Sequence, residues 1–222
     1  MDKQIKECPI ITKEEYDKRI QDGELIEKLN EAHDNKNVSD DRNVYIIWSA
    51  SKIVLEESWV EPLKTVKFEE LEKLYLYNYC LSDIQISQVF NLNKLQVLYL
   101  NNNLIKDINV FGRINCIELK TLDLSNNEIS EIKVLEQCKL ENLQYLDLSY
   151  NKILKIDILA KVNFKELKEL YLDNNNISDI KVLEKVHFEK LEILNLENNE
   201  ISDINVLEKV NFKELKKLYL QN

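Results

Sequence analysis

Leucine recurs at one fixed spacing through the second two-thirds of the chain. Seven leucines open similar phrases with a constant 24-residue period: Leu71, Leu95, Leu119, Leu143, Leu167, Leu191 and Leu215. In the phrase that begins at Leu167, the leucines Leu170 and Leu172 are separated by one residue, which places both on one face of a short strand. The pattern therefore predicts a stack of repeats with one strand in each.

An asparagine follows the predicted strand in five of these repeats. The five are Asn103, Asn127, Asn151, Asn175 and Asn199. An asparagine amide can bond backbone groups that are left exposed where the chain turns. We therefore expect these side chains to form a buried ladder with a structural role.

The second half of each repeat predicts one short helical turn. Ile177 and Ile180 are expected to point inward, and Ser178 or Asp179 is placed to cap the turn. Apolar residues within 182–188 follow at helical spacings of three and four. One such unit cannot bury its apolar side chains alone, whereas a stack of them can.

These phrases resemble the leucine-rich repeat family, whose signature is L-x-x-L-x-L-x-x-N-x-L. The rest of each unit is similar to the short-helix subclass found in internalins and in the leucine-rich regulatory subunit of a nuclear protein phosphatase. The resemblance implies an α/β solenoid. In it a parallel sheet forms the concave face of a curved horseshoe, short helices form the convex face, and a helical N-terminal cap covers the first repeat.

The chain divides at about residue 65. Residues 1–65 lack the repeat and predict a helical and irregular capping region, with a capping-box pattern at Thr12 and Glu15 and a strand candidate at 44–48. Residues 66–222 predict a run of 24-residue leucine-rich repeats. The last repeat is incomplete at Asn222, so we expect that the protein continues beyond it, or that another subunit covers the open edge.

Composition narrows the classes of partner. The 222 residues carry a formal net charge of −10 with only three arginines, which disfavours nucleic acid. The chain contains only two glycines, which excludes almost every glycine-rich phosphate-binding loop. No apolar stretch is long enough to span a membrane or to form a signal peptide, so we expect an intracellular, cytoplasmic protein without membrane contact.

The cysteines and histidines predict neither a metal site nor a cofactor. The four cysteines, Cys8, Cys80, Cys116 and Cys138, show no paired spacing, and His33 and His187 are isolated in the sequence. Cys116 and Cys138 occupy positions that are apolar in other repeats. We therefore expect both to be small buried apolar residues.

Tyrosines and carboxylates are concentrated where the strands face outward. Six of the ten tyrosines lie in three rows that are expected to face outward. In each repeat these rows contain the residue before the second leucine, the residue between the second and third leucines, and the residue after the third leucine. The residues expected to bind a partner are Tyr75, Tyr77, Tyr99, Asp123, Tyr145, Asp147, Tyr150, Tyr171, Asp173, Asn195 and Glu197. Tyrosine is enriched at protein interfaces, and the carboxylates favour a basic or amphipathic protein segment.

Two other interpretations of these rows stay open. Tyrosine also favours strands because aromatic side chains pair across a sheet. Asp123 and Asp147 resemble a catalytic carboxylate pair, but an open, hydrated wall is expected to leave pKa values unperturbed. We predict a non-catalytic scaffold or regulatory subunit that binds a protein. The alternative is the recognition arm of a larger enzyme whose catalytic part lies outside this chain; the oligomeric state is undetermined.

Overall fold

A computed structural model of the protein describes residues 43–45, 72–75 and 93–221. Within these ranges the chain forms one parallel sheet of eight three-residue strands in sequence order. The strands are β1 (Asn43–Tyr45), β2 (Lys73–Tyr75), β3 (Val97–Tyr99), β4 (Thr121–Asp123), β5 (Tyr145–Asp147), β6 (Glu169–Tyr171), β7 (Ile193–Asn195) and β8 (Lys217–Tyr219). Sequential parallel order with one strand per repeat confirms the predicted solenoid.

The register of the sheet follows the repeat. Leu122 of β4 pairs with Leu146 of β5, and Leu146 pairs with Leu170 of β6. Asn43 of β1 pairs with Lys73 of β2, so residues before the first leucine phrase supply the first strand. The strand predicted at 44–48 thus begins one residue earlier.

The rest of the predicted cap, including Thr12 and Glu15, lies outside the described residues. So do Tyr77, Cys8, Cys80 and His33, and nothing in the described part tests the division at residue 65. The expectations for these residues therefore remain predictions.

A short 3₁₀ helix follows the strand in each of five described repeats. These helices are Asn109–Gly112, Lys133–Gln137, Asp157–Ala160, Lys181–Lys185 and Asn205–Glu208. Of the two predicted capping residues, Asp179 is the one that bonds the helix: its Oδ1 accepts a hydrogen bond from the N–H of Lys181 at 2.9 Å, and Ile180 occupies the N-cap position between them. Asp107 and Asp203 bond Asn109 and Asn205 in the same way. No helix in the described part is long and apolar enough to cross a membrane.

The core lies between the sheet and the 3₁₀ helices. The strand leucines of the central repeats, such as Leu146, Leu170 and Leu194, are completely buried. Phe164 and Phe188 stack in neighbouring repeats with ring centroids 6.3 Å apart. Burial of several large apolar side chains per repeat, at about 1.5–3 kcal/mol each, stabilises the stack.

Cys116 and Cys138 both occupy apolar positions of the repeat; Cys116 is buried, as predicted, whereas Cys138 is only partly buried. Cys116 lies one repeat before the buried Leu140, and Cys138 packs against the core as a partly buried residue. Both are free thiols, and burial raises their pKa values to about 12. Thiols with such pKa values are unreactive at neutral pH.

The predicted asparagine ladder is present and buried. Asn151 shows its chemistry: its Oδ1 accepts from the N–H of Ile129, and its Nδ2 donates to the carbonyl oxygens of Leu124, Leu148 and Ser149 at 3.0–3.1 Å. One side chain therefore closes its own turn and joins it to the preceding repeat. The ladder is structural, because these bonds satisfy both polar ends of the amide.

The residue before each ladder asparagine adopts the left-handed backbone conformation. The φ values are 59° at Asn102, 52° at Asn126, 52° at Tyr150, 54° at Asn174 and 52° at Asn198. We call these five positions the left-handed row. The turn thus uses two adjacent residues, one for backbone conformation and one for hydrogen bonding, where the sequence suggested a single asparagine.

Candidate protein-binding face

The outward-facing residues of the sheet lie in three parallel rows, as the strand pattern predicts. We call these rows, from β3 to β8, the concave face. The first row is Val97, Thr121, Tyr145, Glu169, Ile193 and Lys217; the second is Tyr99, Asp123, Asp147, Tyr171, Asn195 and Tyr219; the third is Asn101, Ser125, Ser149, Asp173, Glu197 and Gln221. Tyr75 belongs to β2, but the position of its side chain is outside the described part.

The concave face is acidic over its centre. Between β3 and β7 its three rows hold Asp123, Asp147, Glu169, Asp173 and Glu197, and they hold no lysine or arginine. In the described part of the sheet, lysine occupies these rows only near the ends, at Lys73 on β2 and Lys217 on β8. Like-signed carboxylates in neighbouring repeats create a negative potential that attracts a cationic ligand.

Tyr145 and Tyr171 form an aromatic pair at the centre of this face. Their ring centroids are 5.5 Å apart and their planes are inclined at 43°. The Tyr145 hydroxyl donates to Asp147 Oδ2 at 3.1 Å, and the Tyr171 hydroxyl donates to Glu169 Oε2 at 2.8 Å. These bonds hold both rings in place beside the carboxylates.

Glu169 was not among the predicted partner-binding residues. It holds the Tyr171 hydroxyl and lies opposite Tyr145 in the register of β5 and β6. The sequence could have identified Glu169, because this carboxylate occupies an outward-facing position one repeat after Tyr145 and one repeat before Ile193.

Asp123 and Asp147 share a local motif with the serine two residues later. Asp147 Oδ1 accepts from both the N–H and the hydroxyl of Ser149, at 2.9 and 2.6 Å. Asp123 bonds Ser125 in the same way, at 2.9 and 2.7 Å. The serine thus orients each carboxylate and satisfies one of its two oxygens.

Two of the predicted partner-binding carboxylates are less accessible than expected. Asp123 is 7% and Asp173 is 9% exposed. Asp173 Oδ2 also accepts from Asn174 Nδ2 at 2.8 Å. Tyr99, Tyr145, Asp147, Tyr171, Asn195 and Glu197 are partly exposed, and Tyr150 is exposed.

The expectation of unperturbed pKa values on this face was wrong. Burial raises the pKa of Asp123 above its ordinary value, and the hydrogen bonds from Ser125 only partly oppose that shift. Burial raises the pKa of Asp173 as well. The pKa values of Tyr99, Tyr145 and Tyr171 are also raised, first by burial and then by nearby carboxylates. The wall desolvates its own side chains because those of adjacent repeats pack against one another.

The side chains of the concave face are suited to contact cationic groups. Rigid aromatic rings beside carboxylates bind ammonium and guanidinium groups and the apolar stems that carry them. Among the described residues, no group of three or more His, Cys, Asp and Glu side chains is arranged to hold a metal ion.

Sequence comparison matches this chain to one family. The family model described as "Leucine Rich repeats (2 copies)" matches residues 117–161, 141–185 and 165–209, which are overlapping pairs of repeats. No curated protein gives a significant match.

Solved structures give the same result. An internalin (inlF) from Listeria monocytogenes is 27% identical with a TM-score of 0.59, over 77% of this chain and 45% of that one. Internalin C2 from the same organism is 27% identical with a TM-score of 0.59, over 77% and 67%. A Leptospira interrogans LRR protein is 25% identical with a TM-score of 0.60, over 78% and 41%. This chain therefore spans less than half the length of the first and third of these relatives.

Proposed function

Because the chain carries leucine-rich repeats and has internalin-like relatives, we propose that it is a non-catalytic protein-binding module. Proteins of this family generally bind other proteins. The partner is a basic or amphipathic protein segment held on the concave face. An intracellular, cytoplasmic location for this binding stays a prediction.

The observation that supports this proposal is the cluster formed by Tyr145, Asp147, Glu169 and Tyr171. Its two rings are in contact, and both hydroxyls are held by carboxylates of the same face. A partner that binds to side chains already held in place loses less conformational entropy on binding. The absence of lysine and arginine from the three rows of β3–β7 favours a cationic segment over an acidic one.

A random peptide library displayed on phage, selected on the full 222-residue chain, provides the probe. A selected peptide is labelled and titrated by fluorescence anisotropy at low and high salt. We expect selected sequences to be rich in lysine and arginine, and their affinity to fall as salt rises.

The test variant replaces Tyr145, Asp147 and Tyr171 together with serine. It should lower peptide affinity at least about tenfold, which corresponds to ~1.4 kcal/mol, because interface energy is concentrated in a few aromatic and charged residues. The control variant replaces Lys185, His187 and Glu189 with serine, three exposed side chains away from the sheet. Circular dichroism is used to check that both variants remain folded.

Equal affinity for the wild-type and concave-face variants would contradict the proposal. Selection of predominantly acidic peptides, or of none, would contradict it as well.

A further inference from the structure

Tyr150 is the one tyrosine in the left-handed row, whose other four members are asparagines. A left-handed conformation is unfavourable for residues with a Cβ atom, and asparagine tolerates it best among those residues because its short polar side chain bonds locally. Tyrosine has no such compensation. The backbone of this repeat is therefore strained where the equivalent backbone of its neighbours is not.

Nothing within the described part of the chain requires a tyrosine here. The N–H of Tyr150 donates to the carbonyl oxygen of Asp173 at 2.9 Å, and the N–H groups of Asn126 and Asn174 make the same bond to the next repeat. Tyr150 is 46% exposed, so its ring adds little to the core. Its hydroxyl has no hydrogen bond to any described residue, unlike the hydroxyls of Tyr145 and Tyr171.

The neighbouring repeat places a carboxylate close to this row. Asp173, whose backbone oxygen bonds Tyr150, also bonds the side chain of Asn174, the next member of the left-handed row. The Asp173 carboxylate is thus held beside Asn174, which follows Tyr150 by one repeat in the left-handed row. An exposed aromatic ring at the edge of an acidic face is able to bind a lysine or arginine side chain.

The same loop carries a second exposed apolar side chain. Leu154 is 57% exposed, whereas the equivalent residues of four other repeats are polar: Lys106, Ser130, Ser178 and Ser202. Two polar positions of one loop are therefore occupied by large apolar residues. A partner that covers this loop would bury the exposed apolar surface of both side chains.

We infer that Tyr150 is the anchor of the partner interface and that its ring binds the side chain of a lysine or arginine of the partner segment. The interface extends from the concave face, past the end of β5, onto the loop at 150–154. The strained backbone of Tyr150 is retained because this contact needs an aromatic ring at the edge of the sheet. This inference rests on the proposed function, and it adds which residue dominates binding and which partner group that residue contacts.

The test uses Tyr150→Asn, which restores the residue found at the other four positions. This variant should have a higher thermal midpoint than the wild type because the strain is relieved. Its affinity for the selected peptide should fall at least about tenfold. Tyr150→Phe keeps the ring and should bind within about threefold of wild type, with no gain in thermal midpoint.

Asn198→Tyr is the matched control. Asn198 is exposed, has the same φ of 52°, and its side chain makes no hydrogen bond to a described residue. The substitution should lower the thermal midpoint, because it introduces the strain, and should leave peptide affinity unchanged.

A double-mutant cycle tests the contact itself. The lysine or arginine of the peptide that matters most for wild-type binding is replaced with glutamine, and both peptides are titrated against wild type and Tyr150→Asn. The glutamine peptide should bind wild type several-fold more weakly, whereas the variant should bind both peptides about equally.

The inference would be overturned if Tyr150→Asn bound the peptide with wild-type affinity, or if its thermal midpoint equalled that of the wild type. It would also be overturned if the protein and peptide substitutions had independent effects in the double-mutant cycle. If the concave-face variant loses peptide binding and Tyr150→Asn does not, this inference fails and the proposed function stands. If neither variant loses binding, or no peptide is selected, both fail.

Discussion

At the scale of the residue, the ladder asparagines hold neighbouring repeats together. The carbonyl oxygen of Leu124 accepts hydrogen bonds from both Asn127 and Asn151, so each amide shares acceptors with the next one along the stack. Such shared, buried bonds make each ladder residue important for two turns at once.

Replacement of Asn151 with alanine should therefore be costly. The variant leaves the N–H of Ile129 without its acceptor in the core, and we expect a loss of about 3 kcal/mol in the free energy of unfolding. Urea denaturation followed by circular dichroism measures it. Asn176→Ala is the control, because Asn176 is exposed and its side chain bonds only Glu200; its cost should stay below about 0.5 kcal/mol.

The raised pKa of Asp123 predicts a pH-dependent effect of Asp123→Asn. A carboxyl whose pKa is raised on folding stabilises the protein below its unfolded value near 3.8, and that contribution is lost as pH rises through the folded value. Asparagine removes the charge and keeps an oxygen acceptor for Ser125. The urea midpoint of the variant relative to wild type should thus be higher at pH 7 than at pH 3. If the difference in urea midpoint between Asp123→Asn and the wild type were the same at both pH values, it would argue against desolvation of the Asp123 carboxylate.

At the scale of the element, three of the five described 3₁₀ helices have a bonded aspartate two residues before their first residue. Asp107, Asp179 and Asp203 each accept the hydrogen bond of a helix N–H that would otherwise be unpaired. Lys155 occupies this position in the repeat that contains Tyr150, so that helix lacks the aspartate bond.

Asp179→Ala should lower the free energy of unfolding by about 1 kcal/mol, as loss of a helix cap does. Ser178→Ala should change it by less than about 0.5 kcal/mol, because Ser178 is exposed and makes no bond to the helix. Both are measured by urea denaturation, and equal effects would mean that Asp179 is not the cap.

At the scale of the whole molecule, the position of a repeat in the stack determines how much its leucines contribute to stability. Leu170 and Leu218 occupy the same position two repeats apart. Leu170 is fully buried, whereas Leu218 in β8 is 38% exposed because no described repeat follows it. A solenoid repeat is stabilised by its neighbours, so a repeat with only one described neighbour is less protected.

In the 222-residue chain, Leu170→Ala should cost about 3 kcal/mol and Leu218→Ala about 1 kcal/mol, because the first creates a cavity and the second removes a partly hydrated side chain. Denaturant unfolding measures the total loss in free energy of unfolding, and hydrogen exchange shows which repeats lose protection. Equal losses would contradict the solenoid description of stability.

Much of this architecture is readable from the sequence because it depends on side-chain type and spacing alone. A leucine at the start of every repeat predicts the strands and their register, and a buried amide at Asn151 follows from its place after the strand. The positions of Cys116 and Cys138 were predicted for the same reason, since apolar residues occupy the equivalent positions elsewhere.

The features that the sequence left open depend on the path of the chain and on distances between repeats. Burial of Asp123 and Asp173 and contact of Tyr145 with Tyr171 arise when chain segments one repeat apart are brought side by side. The choice of Asp179 over Ser178 and the strain at Tyr150 depend on the local backbone conformation, which spacing alone does not give. Periodicity alone determined that the chain forms a stack with an outward-facing wall. Only the tertiary structure decided which side chains of that wall shield one another and which remain exposed, because shielding is set by the packing of neighbouring repeats.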